Sequence, residues 1–225
     1  MVIEIIRALV LGGVPVAAFT FLVLQWSVVS GRLAPFSDEK ALDEQYKEQR
    51  KAKKAEKQAE KKAAKEALER GEEPPKKQKD TRPWLDKSRG EEFLHNKAMF
   101  FGGGYYGTMA LFAYAVIEMD EIFEFLGVVF TPGAWFEYLT FQLIIGFFIN
   151  TIMNIVGAFT WFITLQNYVS MGNGWIWLGA SYVGYLAGVR LVAKSGDEIW
   201  AWLNDRRIEG VEKVTDFVKK QNEKS

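Results

Sequence analysis

Three stretches of the chain contain no charged residue: Ala8 to Gly31, Ala98 to Ile117 and Tyr138 to Val189. A hydrocarbon core of roughly 30 Å takes about 20 helical residues to cross. Each stretch is long enough to cross once, and the last is long enough to cross twice. The pattern predicts an all-α integral membrane protein with about four transmembrane helices. The expected spans run from about Ala8 to Val29, Ala98 to Ile117, Tyr138 to Thr164 and Trp175 to Val192. Pro15 and the Gly12–Gly13 pair lie in the first third of span one, where they allow a kink or a close neighbour. Glu4 and Arg7, three apart, can pair before it. The apolar run is longer than a signal-peptide core and "VVSGRLAP" shows no cleavage site, so span one is read as retained.

Between spans one and two the pattern inverts. "KEQRKAKKAEKQAEKKAAKEALERG", residues 47–71, is lysine, glutamate and alanine. Pro35 ends the preceding chain, Ser37 is the expected N-cap, and Asp38 and Glu39 suit a helix N-terminus. Gly71 suits the C′ position. A charged helix of about 33 residues would be about 50 Å long. Its alanines, Ala52, Ala55, Ala59, Ala63 and Ala67, form a narrow seam.

The acidic and apolar stretch "EMDEIFEFLGVVFTPGAWFE" reads as a short interfacial helix and turn. The tail after Lys194 reads as an amphipathic helix. The chain therefore divides into an N-terminal transmembrane helix (1–31), a charged cytoplasmic helix and loop (32–97), a membrane domain of three spans (98–193) and the tail (194–225).

Charge sets the expected orientation. The chain carries 28 Lys and Arg against 28 Asp and Glu. From Gly31 to Lys97, however, basic residues number 19 against 15 acidic, and from Ala98 to Val189 there are none. Glu118, Asp120, Glu121, Glu124 and Glu137 follow span two instead. Lysine and arginine near span ends resist translocation, which places the charged helix in the cytoplasm and the acidic stretch outside. The localisation expected is a bacterial inner (cytoplasmic) membrane, multi-pass. Four spans from an outside N-terminus leave the tail outside, yet Arg190 and Lys194 would hold it inside. A re-entrant "GNGWIWLGASYVGYLAG" would reconcile the two; four full spans is the preferred count.

Candidate chemistry is sparse. The chain has no cysteine, which excludes disulfides, thiol nucleophiles and thiolate metal sites. Its one histidine, His95, has no catalytic neighbours in the sequence. No catalytic, cofactor-binding or metal residue is expected. The acids after span two read as solvated. The eight tryptophans read mostly as an interfacial belt.

Two faces attract interest. Gln142, Gly146, Asn150, Asn154 and Gly157 recur every three or four residues and share one face of span three. They read as interhelical packing or as the lining of a path, with packing preferred. Gly184 and Gly188 form a small-xxx-small pair in span four, with Gly179 and Ala180 one turn earlier. The expected function is a non-enzymatic scaffold, assembly factor or accessory subunit of a larger membrane complex. The alternative is a channel or transporter subunit lined by span three. Expected partners are membrane lipids and other membrane subunits or copies of the same chain. Nucleic acid is not expected, because acids nearly balance the lysines.

Overall fold

The structure is a computed structural model. It describes residues 1–70, 96–97, 101, 103–129 and 141–222, with side-chain surroundings given for all of these except 124–126, 128–129, 141–148 and 209–222. Every regular element among them is helical. His95, Gly71, Trp84, Trp135, Glu137 and the loop "PPKKQKDTRPW" lie outside the described residues.

Helix α1 runs from Val2 to Val29 and is interrupted by one π-helical turn, Leu9–Gly13. The Val14 amide there donates to Leu9, five residues back. Pro15, which opens the following α-helical segment, supplies the cause. Its ring crowds the carbonyl four residues back and it brings no N–H. A widened turn just ahead absorbs both effects.

After α1 the chain doubles back through Gly31 (φ 70°) into α2, Glu39–Glu69. The N-cap is Asp38, not Ser37. Its carboxylate accepts from the Ala41 amide at 2.9 Å, because Asp38 holds the extended backbone that a cap requires. The linker is tied to α2 by glutamines. Gln45 bonds both the N–H and the C=O of Ala34 at 3.0 and 3.1 Å, and Gln49 donates to the Arg32 carbonyl at 2.8 Å. Leu33, Phe36, Leu42 and Tyr46 are buried beneath these bonds.

Helix α3 spans Gly104–Val129. It starts later than the composition suggests. Gly103 and Gly104 adopt left-handed φ of 63° and 60°, which keeps the helix from extending back beyond Gly104. It also continues through Glu118, Asp120 and Glu121, where the span was expected to give way to a separate short interfacial helix and turn. Acids with helical propensity do not stop a helix unless a breaker follows.

Helix α4, Phe141–Phe159, ends at Thr160 rather than at Thr164. The Thr160 hydroxyl donates back to the Val156 carbonyl at 3.0 Å, and that of Thr164 to the Gly157 carbonyl at 2.9 Å. Such back-bonding competes with the helical ladder. A short helix α5, Trp161–Thr164, and a 3₁₀ turn, Leu165–Asn167, follow. Helix α6 spans Gly174–Asn222 and kinks at Ser195 (φ −140°, ψ 18°). The kink falls where the tail was expected to begin.

Two helices, Val2–Val29 and Gly174–Ile208, are long and apolar enough to cross a membrane. They pair in parallel. The Glu4 carboxylate accepts from the Asn173 amide. Gly13 lies on Ala180 and Gly184, Ala17 on Gly188, and Gln25 on Gly196 and Asp197. Residue numbers rise together along the whole contact. Glu4 is therefore spent on the start of α6, not on Arg7. Helices α3 and α4 pair antiparallel, since Tyr106 bonds the Phe159 carbonyl while Glu121 bonds Asn154.

A parallel pair that crosses a bilayer delivers the ends of α1 and α6 to one side. Single cysteines at Ala59 and Ala201, in this cysteine-free chain, should react with an impermeant maleimide from the same face of sealed vesicles. Labelling from opposite faces would contradict the parallel crossing.

Candidate functional site

A close backbone contact joins α1 to α6 and is built on glycine. A Cβ at Gly188 would stand 2.7 Å from both the Ala17 carbonyl oxygen and Thr20 Cβ. One at Gly184 would overlap the Gly13 carbonyl, and one at Gly13 would stand 3.1 Å from the Ala180 carbonyl. A Cβ at Gly12 would stand 3.3 Å from Cε3 on the benzo edge of Trp177. Backbones this close maximise dispersion contact, which membrane helices rely on because lipid offers no hydrophobic advantage.

At the far end the contact turns polar. Gln25, 1% exposed, donates from Nε2 to Asp197 Oδ1 at 3.1 Å. Asp197 lies two residues beyond the Ser195 kink, so this bond sets the direction in which the tail leaves. The sequence reading missed both residues. One signal was available: Gln25 is the lone amide in the uncharged run of span one, and such a group needs a partner.

The second contact joins α3 to α4. Buried Asn154 donates from Nδ2 to Glu121 Oε1 at 2.9 Å and to Glu118 Oε1 at 3.4 Å. Gly157 lies against Ile117, whose Cδ1 would be 3.1 Å from an added Cβ. The Lys97 ammonium sits 4.2 Å from the centroid of the Tyr114 ring, one turn from Glu118. Burial pushes that ammonium below the usual lysine range, while the nearby Glu118 charge opposes the shift. Glu118 and Glu121 thus hold an interhelical bond, where solvated acids were expected.

The described members of the face read along span three have different surroundings. Asn154 and Gly157 meet α3, whereas Asn150 is exposed. Gln142 and Gly146 lie on α4 outside the residues whose side-chain surroundings are described. The expected tryptophan belt divides as well. Trp175 and Trp202 are exposed, while Trp161 and Trp177 are buried in the bundle at 6% and 4%. The alanine seam of α2 is exposed at Ala52, Ala55, Ala59 and Ala63, and only Ala67 is covered.

A third contact fixes the base of α2 to the bundle. Cβ atoms at Gly103 and Gly104 would meet Tyr46 Cγ at 2.7 Å and Asp43 Oδ1 at 2.8 Å. Tyr182 donates to Glu39 at 3.4 Å. Tyr105 shares a 2.7 Å hydrogen bond with Ser181, which joins α3 to α6 beside this base.

No protein-family model matches the chain, and no curated protein or solved structure is similar to it. The contacts define a class on their own: an all-helical protein with two membrane-length helices in parallel glycine contact and a charged helix anchored at one end.

Gly188→Leu should destabilise the fold by about 1–3 kcal/mol or more, because the clash is with backbone. Gly179→Leu, on the open side of the same helix, should leave it within about 0.5 kcal/mol. Thermal unfolding in mild detergent separates them. Equal melting temperatures would show that the glycine contact does not hold the bundle. On α4, Asn154→Leu should cost about 0.6–2 kcal/mol, and Asn150→Leu should change little.

Proposed function

We propose that this chain is a non-enzymatic membrane scaffold or accessory subunit that holds a rigid charged arm at the cytoplasmic face. One observation carries the reading. Helix α2 is exposed on every face from Lys51 to Ala63, while its first two turns are buried at Leu42 and Tyr46. A helix fixed at its base transmits position along its exposed shaft. The exposed part, from Lys51 to Ala63, reaches about 20 Å at 1.5 Å per residue. Surface ion pairs such as Lys65–Glu69 at 3.8 Å contribute little, so the base contacts determine where the arm points.

The membrane topology is part of the same proposal. The 19 basic residues between Gly31 and Lys97 favour a cytoplasmic arm. The parallel pairing of α1 with α6 supports a cytoplasmic tail as well. This removes the conflict created by Arg190 and Lys194, which lie within α6 at the end of its uncharged stretch, on the same side as the arm. Two crossings in one direction require a single net return between them. An odd number of crossings, three, fits this better than four, with one of α3 and α4 embedded without crossing.

The channel reading has less support. A path lined by span three needs its amides free to face water, but Asn154 is buried and bonded to two carboxylates on α3.

Deletion of residues 51–66 should leave the bundle folded and inserted, since the contacts at Leu42, Tyr46, Gly103 and Gly104 remain. It should remove partners or self-association that native purification of the full chain reveals, read as a drop in particle mass on a native gel. An unchanged mass and unchanged co-purifying proteins would reduce the arm to a spacer.

A further inference from the structure

From Glu39 to Glu69, α2 carries 10 basic residues against 8 acidic ones. The charges nearly balance along the chain, but they do not balance around the helix. Lys47, Lys51, Lys54, Lys57, Lys61 and Lys65 follow one another three or four residues apart and so share one face. Arg50 and Lys62 flank this stripe. Glu48, Glu56, Glu60 and Glu66 fall on the opposite half, among Ala52, Ala55, Ala59 and Ala63. All six lysines of the stripe are exposed. Among the described residues only Lys65 of the six takes part in an ion pair, with Glu69.

The base of α2 shows which way the stripe faces. Asp43, Lys47, Arg50, Lys54, Lys57 and Lys61 alternate spacings of four and three, so one face runs unbroken from base to shaft. At the base this face meets the start of α3. A Cβ at Gly104 would meet Asp43, and one at Gly103 would meet Tyr46. Asp43, Lys47 and Arg50 line a polar pocket of about 210 Å³ together with Gly103, Gly104 and Tyr105. Further out, Lys53 donates to Asn96 at 2.6 Å, on the chain that leads to α3. The lysines therefore continue the side of α2 that is turned toward the bundle, and the alanine side is turned away.

A soluble partner approaching from the water would meet alanine and glutamate first. A surface spread out beside the bundle would meet the lysines. For a bundle held in a membrane, that surface is the layer of lipid headgroups. Each lysine close to an anionic leaflet strengthens attachment roughly fivefold, and a leaflet without net charge offers no such attraction. We propose that the lysine stripe of α2 docks on anionic lipid headgroups beside the bundle. The inference rests on the membrane reading of α1 and α6.

The test places the full chain in lipid nanodiscs, which leave both faces of the bilayer open, so the result does not depend on which side the arm lies. An environment-sensitive dye is attached to a single cysteine. Gln58→Cys puts it on the stripe without altering charge, and Ala59→Cys puts it on the opposite half. In discs rich in phosphatidylglycerol the dye of the Gln58→Cys variant should shift to the blue relative to pure phosphatidylcholine discs, and that of the Ala59→Cys variant should not. Half-molar salt, with a screening length of about 4 Å, should reverse the shift. Lys54→Gln, Lys57→Gln and Lys61→Gln combined should abolish it, while glutamine keeps the shaft helical. For chains that co-elute with the discs, no shift, equal shifts in the two dye variants, or a shift that survives the triple substitution would each overturn the proposal. A larger shift from soluble RNA added to phosphatidylcholine discs would assign the stripe to nucleic acid and overturn it too. A chain that does not co-elute with the discs at all would remove the membrane reading, and the proposal with it.

Discussion

The parallel approach of α1 and α6, backbone against backbone, is the constraint on which the other contacts depend. Gly13, Gly184 and Gly188 remove the side chains that would hold the two helices at the usual 8–10 Å separation. At closer range the carbonyls of Gly13 and Ala17 face α6 directly. The π-helical turn belongs to the same contact. It widens α1 where Gly12 meets Trp177. A single methyl at Gly188 would push against main chain, which cannot rotate away as a side chain can.

Polar groups then fix what dispersion leaves adjustable. Sliding α6 by one turn along α1 would keep small residues in contact with small residues. It would not keep Glu4 on the Asn173 amide and Gln25 on Asp197 together, because these two bonds sit near opposite ends of the pair. They set register. Asn154 with Glu118 and Glu121 does the same for α3 and α4. Amides and carboxylates are costly to bury alone, so each such bond selects one alignment against its neighbours.

The arm acquires its direction from this bundle. Its base is anchored by aromatic and glycine contacts, Tyr46 on Gly103 above all, and by the glutamines that hold the linker at Arg32 and Ala34. From Lys51 to Ala63 the helix is exposed, Lys53 donates to Asn96 at 2.6 Å, and intrinsic helix propensity supports the shaft. An anchored base with an exposed shaft supports the role proposed for it as a presenting element.

The sequence by itself determined the helical class, the long charged helix and a break near Lys194, because composition and periodicity act over a few residues at a time; of the four spans it led us to expect, two described helices are long and apolar enough to cross a membrane. It also singled out Gly184 and Gly188 as a close-packing pair. It did not determine what they meet. Direction of pairing is a relation between residues some 170 positions apart, and nothing local encodes it. Tertiary structure decided that α1 and α6 run parallel, that Trp177 lies inside and not at an interface, and that Asn154 and Asn150, one turn apart, have different environments. Capping differed for a smaller reason: Ser37 and Asp38 are both good caps, and the linker contacts gave Asp38 the extended backbone. In each case several alternatives were locally equivalent, and only packing against distant segments made them unequal.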